Sequence, residues 1–263
     1  MAVQQLKNEE MYKIESLYEG WEESLLWSCL QGHMGRAWVD DIENPAAAEI
    51  LLGDFFYFAG NFDVQGAEDL VRNIPADFST EFALMVPQNE DWSKVIERVY
   101  PNNHTRLTRY AIKKAPTDFD PKVLQEYVDR LPEGYTIRQI DEALYRIADK
   151  EVFSSYFCSQ FATYEDFAKR GLGFAVMHGD EWVAGASSYS MYTGGIEIEL
   201  DTKEEHRRKG LALAVAARLI LECLDRGLYP CWDAANLQSR RIAERLGYTF
   251  DKEYPTYSIT DFR

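Results

Sequence analysis

Arg207, Arg208 and Lys209 stand together just before Gly210, and Gly210 opens directly onto an apolar run from Leu211 to Ile220. The first turn of a helix leaves its backbone N–H groups without intrahelical partners, and the helix dipole adds partial positive charge there. Three adjacent cations add formal charge, and a glycine lets the backbone come close to a ligand. In a chain of formal net charge -16, this is a local reversal of sign. Such a turn can seat a pyrophosphate. Two familiar phosphate turns do not fit: Gly210 is the one glycine of a possible G-x-G-x-x-G, and G-x-x-x-x-G-K-[ST] does not occur. The bland alternative is a solvated basic turn in front of a buried helix.

The elements around the turn favour the first reading. Gly195-Ile196-Glu197-Ile198-Glu199-Leu200-Asp201 alternates apolar and acidic residues, which predicts a half-buried strand with Glu197 and Glu199 on one face. Downstream, Gly227 and Pro230 end the helix. Residues 231–234 then read as a short strand and 236–246 as another helix. Upstream, residues 135–140 alternate as a strand, and Asp141 is an N-cap for a helix through about Lys150. A second helical stretch, 155–170, stops at Gly171, and 173–178 with 182–190 form a hairpin around Gly179-Asp180-Glu181. The order is β-α-α-β-β-β-α-β-α, followed by extended residues 248–259. The punctuation Leu131-Pro132-Glu133-Gly134 predicts a boundary, so residues 1–130 and 131–263 are expected as separate α/β domains.

The first of these carries strand-like pieces at 36–39, 55–59, 82–86 and 105–112, and helical pieces at 9–31, 67–73 and 91–100. It has no counterpart of the basic turn. Its nearest segment, Gln65-Gly66-Ala67-Glu68-Asp69, is acidic where phosphates would sit.

Arg207-Arg208-Lys209-Gly210-Leu211-Ala212 resembles the acetyl-CoA turn of the GNAT acyltransferase superfamily, [RQ]-x-x-G-x-[GA]. A second superfamily block stands at Asn236, Ser239, Ala243, Leu246, Gly247 and Tyr248. The phrases from Gly195 to Thr202 and from Pro230 to Asn236 look more closely like the zwittermicin A resistance-type acetyltransferases, a bacterial group. The resemblance rests on motifs in the C-terminal half and on length and layout alone in the N-terminal half. It implies an α/β fold with a mixed sheet: a C-terminal GNAT domain after an N-terminal α/β half, which is either a degenerate GNAT-like domain or an unrelated cap. It also implies acetyl-CoA as cosubstrate, no metal, and acetyl transfer to an amine of a small molecule, an antibiotic among the candidates. The residues implied for the cofactor are Arg207, Arg208, Lys209, Gly210, Leu211, Ala212, Asn236 and Ser239, with the backbone of Leu200 and Thr202 on the thioester and pantetheine arm.

Acetyl transfer to an aliphatic amine, of pKa near 10, needs a base, often acting through water. Glu197 and Glu199 are the candidates, with Glu199 favoured because it adjoins Leu200. Their alternative is the polar face of an amphipathic strand. Many GNAT enzymes carry a tyrosine seven residues after the asparagine to protonate the departing thiolate. Here that position is Ala243, which leaves Asn236, Ser239 or water to help the thiolate leave. Tyr248 and Trp232 read as core. The competing function is a non-catalytic acyl-CoA sensor or regulatory module, which would keep the turn and lack the base; the two glutamates tilt the reading toward an enzyme.

Composition narrows the rest. The chain has 263 residues, is 46% hydrophobic and 14% aromatic, and can bury a real core. No run approaches the ~18 apolar residues of a membrane span, and residues 1–10 lack an apolar signal segment, which predicts a cytoplasmic protein. Cys29, Cys158, Cys223 and Cys231 show no C-x-x-C pairing, and the four histidines are scattered, so neither disulfides nor zinc are expected. Acidic excess repels nucleic acid and anionic membranes and favours a cationic acceptor. Nothing in the residues sets an oligomeric state.

Overall fold

A computed structural model describes residues 3–114, 119–148 and 150–262. They pack into two compact units, residues 1–109 with 253–263, and residues 110–252. The expected α/β class with mixed sheets is found in both.

The first unit contains β1 (Gln4–Gln5), α1 (Ser24–Leu30), β2 (Arg36–Val39), β3 (Ala47–Leu52), β4 (Phe55–Gly60), α2 (Ala67–Arg72), β5 (Ala83–Pro87) and α3 (Glu90–Val99), and then most of β6 (His104–Ile112). Its strands run in the order β1-β2-β3-β4-β5, antiparallel except for the parallel pair β4 and β5. Phe56, Phe58, Met85 and Trp92 lie in its core, packed with Leu70 and Val71 of α2.

The second unit starts with the end of β6 and continues through α4 (Pro121–Asp129), β7 (Tyr135–Gln139), α5 (Glu142–Ala148), α6 (Val152–Ser155), α7 (Tyr164–Arg170), β8 (Gly173–His178) and β9 (Glu181–Tyr192). It then runs through β10 (Gly195–Thr202), α8 (Leu211–Asp225), β11 (Tyr229–Cys231), β12 (Asp233–Ala234) and α9 (Leu237–Leu246) into β13 (Phe250–Ile259). The sheet order is β7-β8-β9-β10-β11, again antiparallel except for the last pair, β10 and β11. In both units helical segments fill the connection between the first two strands, one helix joins the parallel pair, and another follows it. One topology is therefore used twice.

The last strands depart from that simple repeat. Tyr257, Ser258 and Ile259 of β13 pair antiparallel with Met85, Leu84 and Ala83 of β5 in the first unit. Tyr110 and Ala111 of β6 pair antiparallel with Ala234 and Asp233 of β12 in the second.

Several expectations change. The connection at 131–134 joins α4 to β7 inside the second unit, and the packing divides at Arg109/Tyr110 and Lys252/Glu253. The reason is α4, unread in the sequence: Asp120 caps it, Pro121 starts it, and Leu124, Tyr127 and Val128 pack in the core that holds α8. The helix expected over 9–31 is instead two 3-10 turns, Asn8–Lys13 and Glu15–Tyr18, followed by α1. Gly20, at φ +75, breaks it. Thr163 accepts a bond from the Asp166 N–H at 3.2 Å and starts α7 afresh within the stretch read as one helix. Asp149, inside the helix expected from Asp141, lies outside the described residues. Strand 231–234 splits at Trp232, because Cys231 belongs to a ladder with β10 and Asp233 to one with β6.

Candidate active site

β10 carries the site because its two edges behave differently. Against β9 it stays paired from Gly195↔Tyr192 to Thr202↔Ala184, with one irregularity between Glu197 and Ile198 that leaves Tyr189 as the extra residue. Against β11 it is paired only at Gly195↔Tyr229, Ile196↔Pro230 and Glu197↔Cys231. Beyond Glu197 the parallel strands part, since β12 pairs with β6 instead. The segment from Ile198 to Thr202 therefore has no ladder with β11.

Leu200, Asp201 and Thr202 reach a cavity of about 550 Å³, which also takes in Arg207, Arg208, Gly210, Leu211, Ala212, Asn236 and Ser239. The turn that closes it is built from two left-handed residues, Arg208 at φ 63 and Gly210 at φ 84. A Cβ on Gly210 would meet nothing within 4 Å, so the glycine serves the backbone conformation rather than a tight contact. No side chain caps α8, so its first N–H groups are left for a ligand. Arg207 is partly engaged: its Nε donates to the Thr202 carbonyl at 2.9 Å, and its guanidinium lies 3.6 Å from Asp201. The Thr202 N–H in turn donates to Asp201 Oδ1 at 2.7 Å, so both backbone groups of Thr202 have internal partners. Lys209 turns elsewhere. Its Nζ donates to the Tyr135 hydroxyl at 3.1 Å and the Glu205 carbonyl at 3.2 Å, and it does not line the cavity.

Asn236 caps α9 by accepting from the Ser239 N–H at 2.9 Å. Trp232 Nε1 donates to Ser239 Oγ at 3.1 Å. An indole can only donate, so Ser239 is fixed as the acceptor there and keeps its own proton for another partner. Tyr248 is core, as expected: it is buried and donates to the Pro230 carbonyl at 2.6 Å.

Glu197 and Glu199 point away from the face on which Ile196 and Ile198 pack against α8. Glu199 is half-buried. Glu197 is not the solvated side chain that alternation allowed. It is buried, with Oε2 3.5 Å from Lys114 Nζ, and the two side chains are 6% and 3% exposed. Lys114 also donates to the Trp232 carbonyl at 3.0 Å. A buried ion pair thus stands where β10 and β11 part. Tyr192, whose hydroxyl shares a hydrogen bond with Cys231 Sγ at 3.2 Å, lies in the same cluster. Burial, then Cys231 and Glu197, push its phenol well above the ordinary range. Neither glutamate lines the cavity itself.

The family described as GNAT acetyltransferase matches residues 15–257. This chain belongs to that family. The match spans both units. A Bacillus subtilis protein described as the uncharacterized N-acetyltransferase YdfB is 30% identical over 230 residues, covering 85% of each chain. A solved structure of a GCN5-related N-acetyltransferase-like protein from Streptococcus suis is 43% identical, with a TM-score of 0.88 over 95% of this chain and 98% of that one. A tandem GNAT protein from the clavulanic acid biosynthesis pathway shares the fold at 12% identity, with a TM-score of 0.59 over 98% of both chains. The chain is therefore an acyltransferase, and GNAT enzymes use acetyl-CoA. An uncapped helix start, an open strand edge and a cavity joining them fit that cosubstrate.

This GNAT acetyltransferase holds two site features that the sequence reading missed. One is Lys114, which is 83 residues from Glu197 and has no local signal. The other is the α9 face of Gln238, Arg241, Ile242 and Arg245, which lines the cavity. Its three- and four-residue spacing could have shown that face.

The first unit closes the corresponding place. β4 and β5 stay paired from Phe55↔Leu84 to Phe58↔Pro87. The Gln88 N–H then donates to the Phe58 carbonyl at 3.0 Å, its Oε1 accepts from the Gly60 N–H at 3.1 Å, and its Nε2 donates to the Leu17 carbonyl at 2.7 Å. The first turn of α2 carries Glu68 and Asp69.

Proposed function

We propose that the protein transfers an acetyl group from acetyl-CoA to an amine of a small molecule, in the manner of the zwittermicin A resistance-type acetyltransferases, with an antibiotic among its candidate acceptors. The supporting observation is the parting of β10 and β11 beside a cavity that ends on the Arg207–Gly210 turn. In this reading the turn and the first N–H groups of α8 take the pyrophosphate, with Arg207 and Arg208 adding charge and Leu211 and Ala212 supplying backbone. Lys209 braces the turn through Tyr135. The freed edge of β10 takes the pantetheine arm, Thr202 exchanging its internal bonds for it, and the Leu200 N–H polarises the thioester carbonyl.

Glu199 takes a proton from the substrate ammonium, directly or through water, so that the free amine attacks the thioester carbonyl, and Glu197 is the second candidate for that work. Ser239, held by Trp232 and Asn236, gives its hydrogen bond to the departing sulfur. The site needs no metal. The acidic surface argues for an amine rather than nucleic acid or an anionic membrane. No helix among the described residues is long and apolar enough to cross a membrane, which suits work in the cytoplasm. The first unit acts as a degenerate GNAT-like partner domain without a cofactor.

The test is thiol release from acetyl-CoA across a panel of amines. An amine-dependent signal is expected. On the preferred amine, Glu199→Gln should lower the rate about 10²–10⁴-fold with acetyl-CoA affinity unchanged, and the loss should shrink at high pH as more amine is already free. If both Glu197→Gln and Glu199→Gln keep near-normal rates, the base lies elsewhere. Tight cofactor binding with no release on any amine would favour a sensor.

A further inference from the structure

Most arginines in the second unit are matched to carboxylates. Arg130, Arg138, Arg146, Arg170, Arg218, Arg226 and Arg240 each lie within 3.1 Å of an acidic oxygen, and Arg207 lies 3.6 Å from Asp201. Among the described residues of this unit three arginines have no such partner: Arg208, Arg241 and Arg245. All three line the cavity described above. In a chain with 44 acidic residues against 28 basic ones, unmatched guanidinium groups gathered in one place mark a site for an anion.

The three are not equivalent in position. Arg208 belongs to the turn that seats the pyrophosphate. Arg241 and Arg245 are four residues apart on α9 and so share one face of it. Arg245 is held in place, with its guanidinium 5.5 Å from the centre of the Tyr127 ring and its carbonyl accepting from the Tyr127 hydroxyl at 3.3 Å. A pyrophosphate diester carries two negative charges, and the uncapped α8 start with Arg207 and Arg208 already answers them. Two further guanidinium groups on a different wall answer a second, separate phosphate. Planar guanidinium forks suit the oxygens of a phosphomonoester.

We propose that Arg241 and Arg245 bind the 3′-phosphate on the ribose of coenzyme A, so that this enzyme selects the 3′-phosphorylated cofactor over its dephospho form. The inference rests on the acetyl-CoA site assigned above. Calorimetry on the full chain with coenzyme A and with 3′-dephospho-coenzyme A tests it. The natural protein should bind coenzyme A at least about tenfold more tightly, a difference of about 1.4 kcal/mol. Arg241→Gln/Arg245→Gln should weaken coenzyme A to the level of the dephospho form and leave the dephospho form unchanged. Arg240→Gln, on the same helix but paired with Glu244 at 3.0 Å, should change neither.

Equal affinity of the natural protein for the two ligands would overturn the inference while leaving the acetyl-CoA site intact. An equal loss for both ligands in the double variant would also overturn it, placing the arginines on the pyrophosphate. Failure of both ligands to bind the natural protein would overturn the acetyl-CoA site and this inference with it.

Discussion

The two units share a strand order and differ in three features. At the parallel strand pair, Gln88 ties β4 to β5 in the first unit, whereas β10 and β11 separate after Glu197 in the second. At the helix that joins this pair, the first unit carries Glu68 and Asp69 in the first turn, whereas the second has Arg207, Arg208 and Lys209 just before Gly210. Each unit also buries a glutamate, on strands that do not correspond: Glu49 on β3 and Glu197 on β10. Glu49 has one amide partner, Asn73 at 3.0 Å, and an Oε1 with none, while Glu197 faces Lys114. The comparison shows that topology alone does not make a cofactor site. The second unit differs from the first in an open strand edge and a basic turn that border its cavity, and each depends on a few side chains.

Lys114→Met should have the largest effect on stability, because it leaves the Glu197 carboxylate buried and alone. Breaking one side of such a pair costs about 3–5 kcal/mol. Lys114→Met/Glu197→Leu should recover most of it in denaturant unfolding, and no recovery would mean that the pair is not coupled. Gly210→Asp comes next. It puts a side chain at φ 84, where glycine is favoured, and sets a carboxylate against phosphates, a like-charge contact costing several kcal/mol. Calorimetry should find one acetyl-CoA site in the natural chain and none in the variant, with circular dichroism unchanged. A site of unchanged affinity in the variant would mean that this turn does not seat the phosphates, and two sites in the natural chain would place one in the first unit and end the contrast.

Ile259→Ala acts on the first unit although it lies near the C-terminus. Ile259 is fully buried in that unit's core, and the truncation should cost about 2–3 kcal/mol. Unchanged unfolding would mean that β13 is not integral to that sheet. The smallest effect is expected from Glu49→Gln. Burial holds the Glu49 carboxyl well above its ordinary 4.5, with Asn73 and Arg36 pulling it down. Such a group takes up a proton on folding, so its contribution is full below about 4.5 and falls as pH rises toward the folded-state value. The amide variant should therefore be more stable than the natural protein at pH 7, gain nothing at pH 4, and show a flatter stability profile between them. A profile parallel to the natural one would show that Glu49 is ionised in the fold.

Local chemistry was legible in the sequence and distant chemistry was not. The Arg207–Gly210 turn and the Asn236 cap could be read because helix starts are made by neighbouring residues. The alternation of β10 was likewise local. Its meaning was not, since Lys114 comes from far along the chain and converts a polar face into a buried charge pair. β3 escaped because Glu49 sits inside Ala47–Leu52, all of it buried, where no period of two appears. The stretch 9–31 was read as one helix because apolar spacing is blind to a left-handed glycine at position 20. The division at residue 131 followed Pro and Gly punctuation, whereas packing put α4 with the second unit.

The return of β13 to β5 has a consequence for how the chain is made. The ribosome delivers β1 to β5 early, yet the edge of β5 stays uncovered until residue 259 has emerged. An open strand edge is a template for pairing with other chains. Nascent protein therefore carries that hazard throughout synthesis of the second unit, and a chain that stopped before residue 257 would keep the edge uncovered.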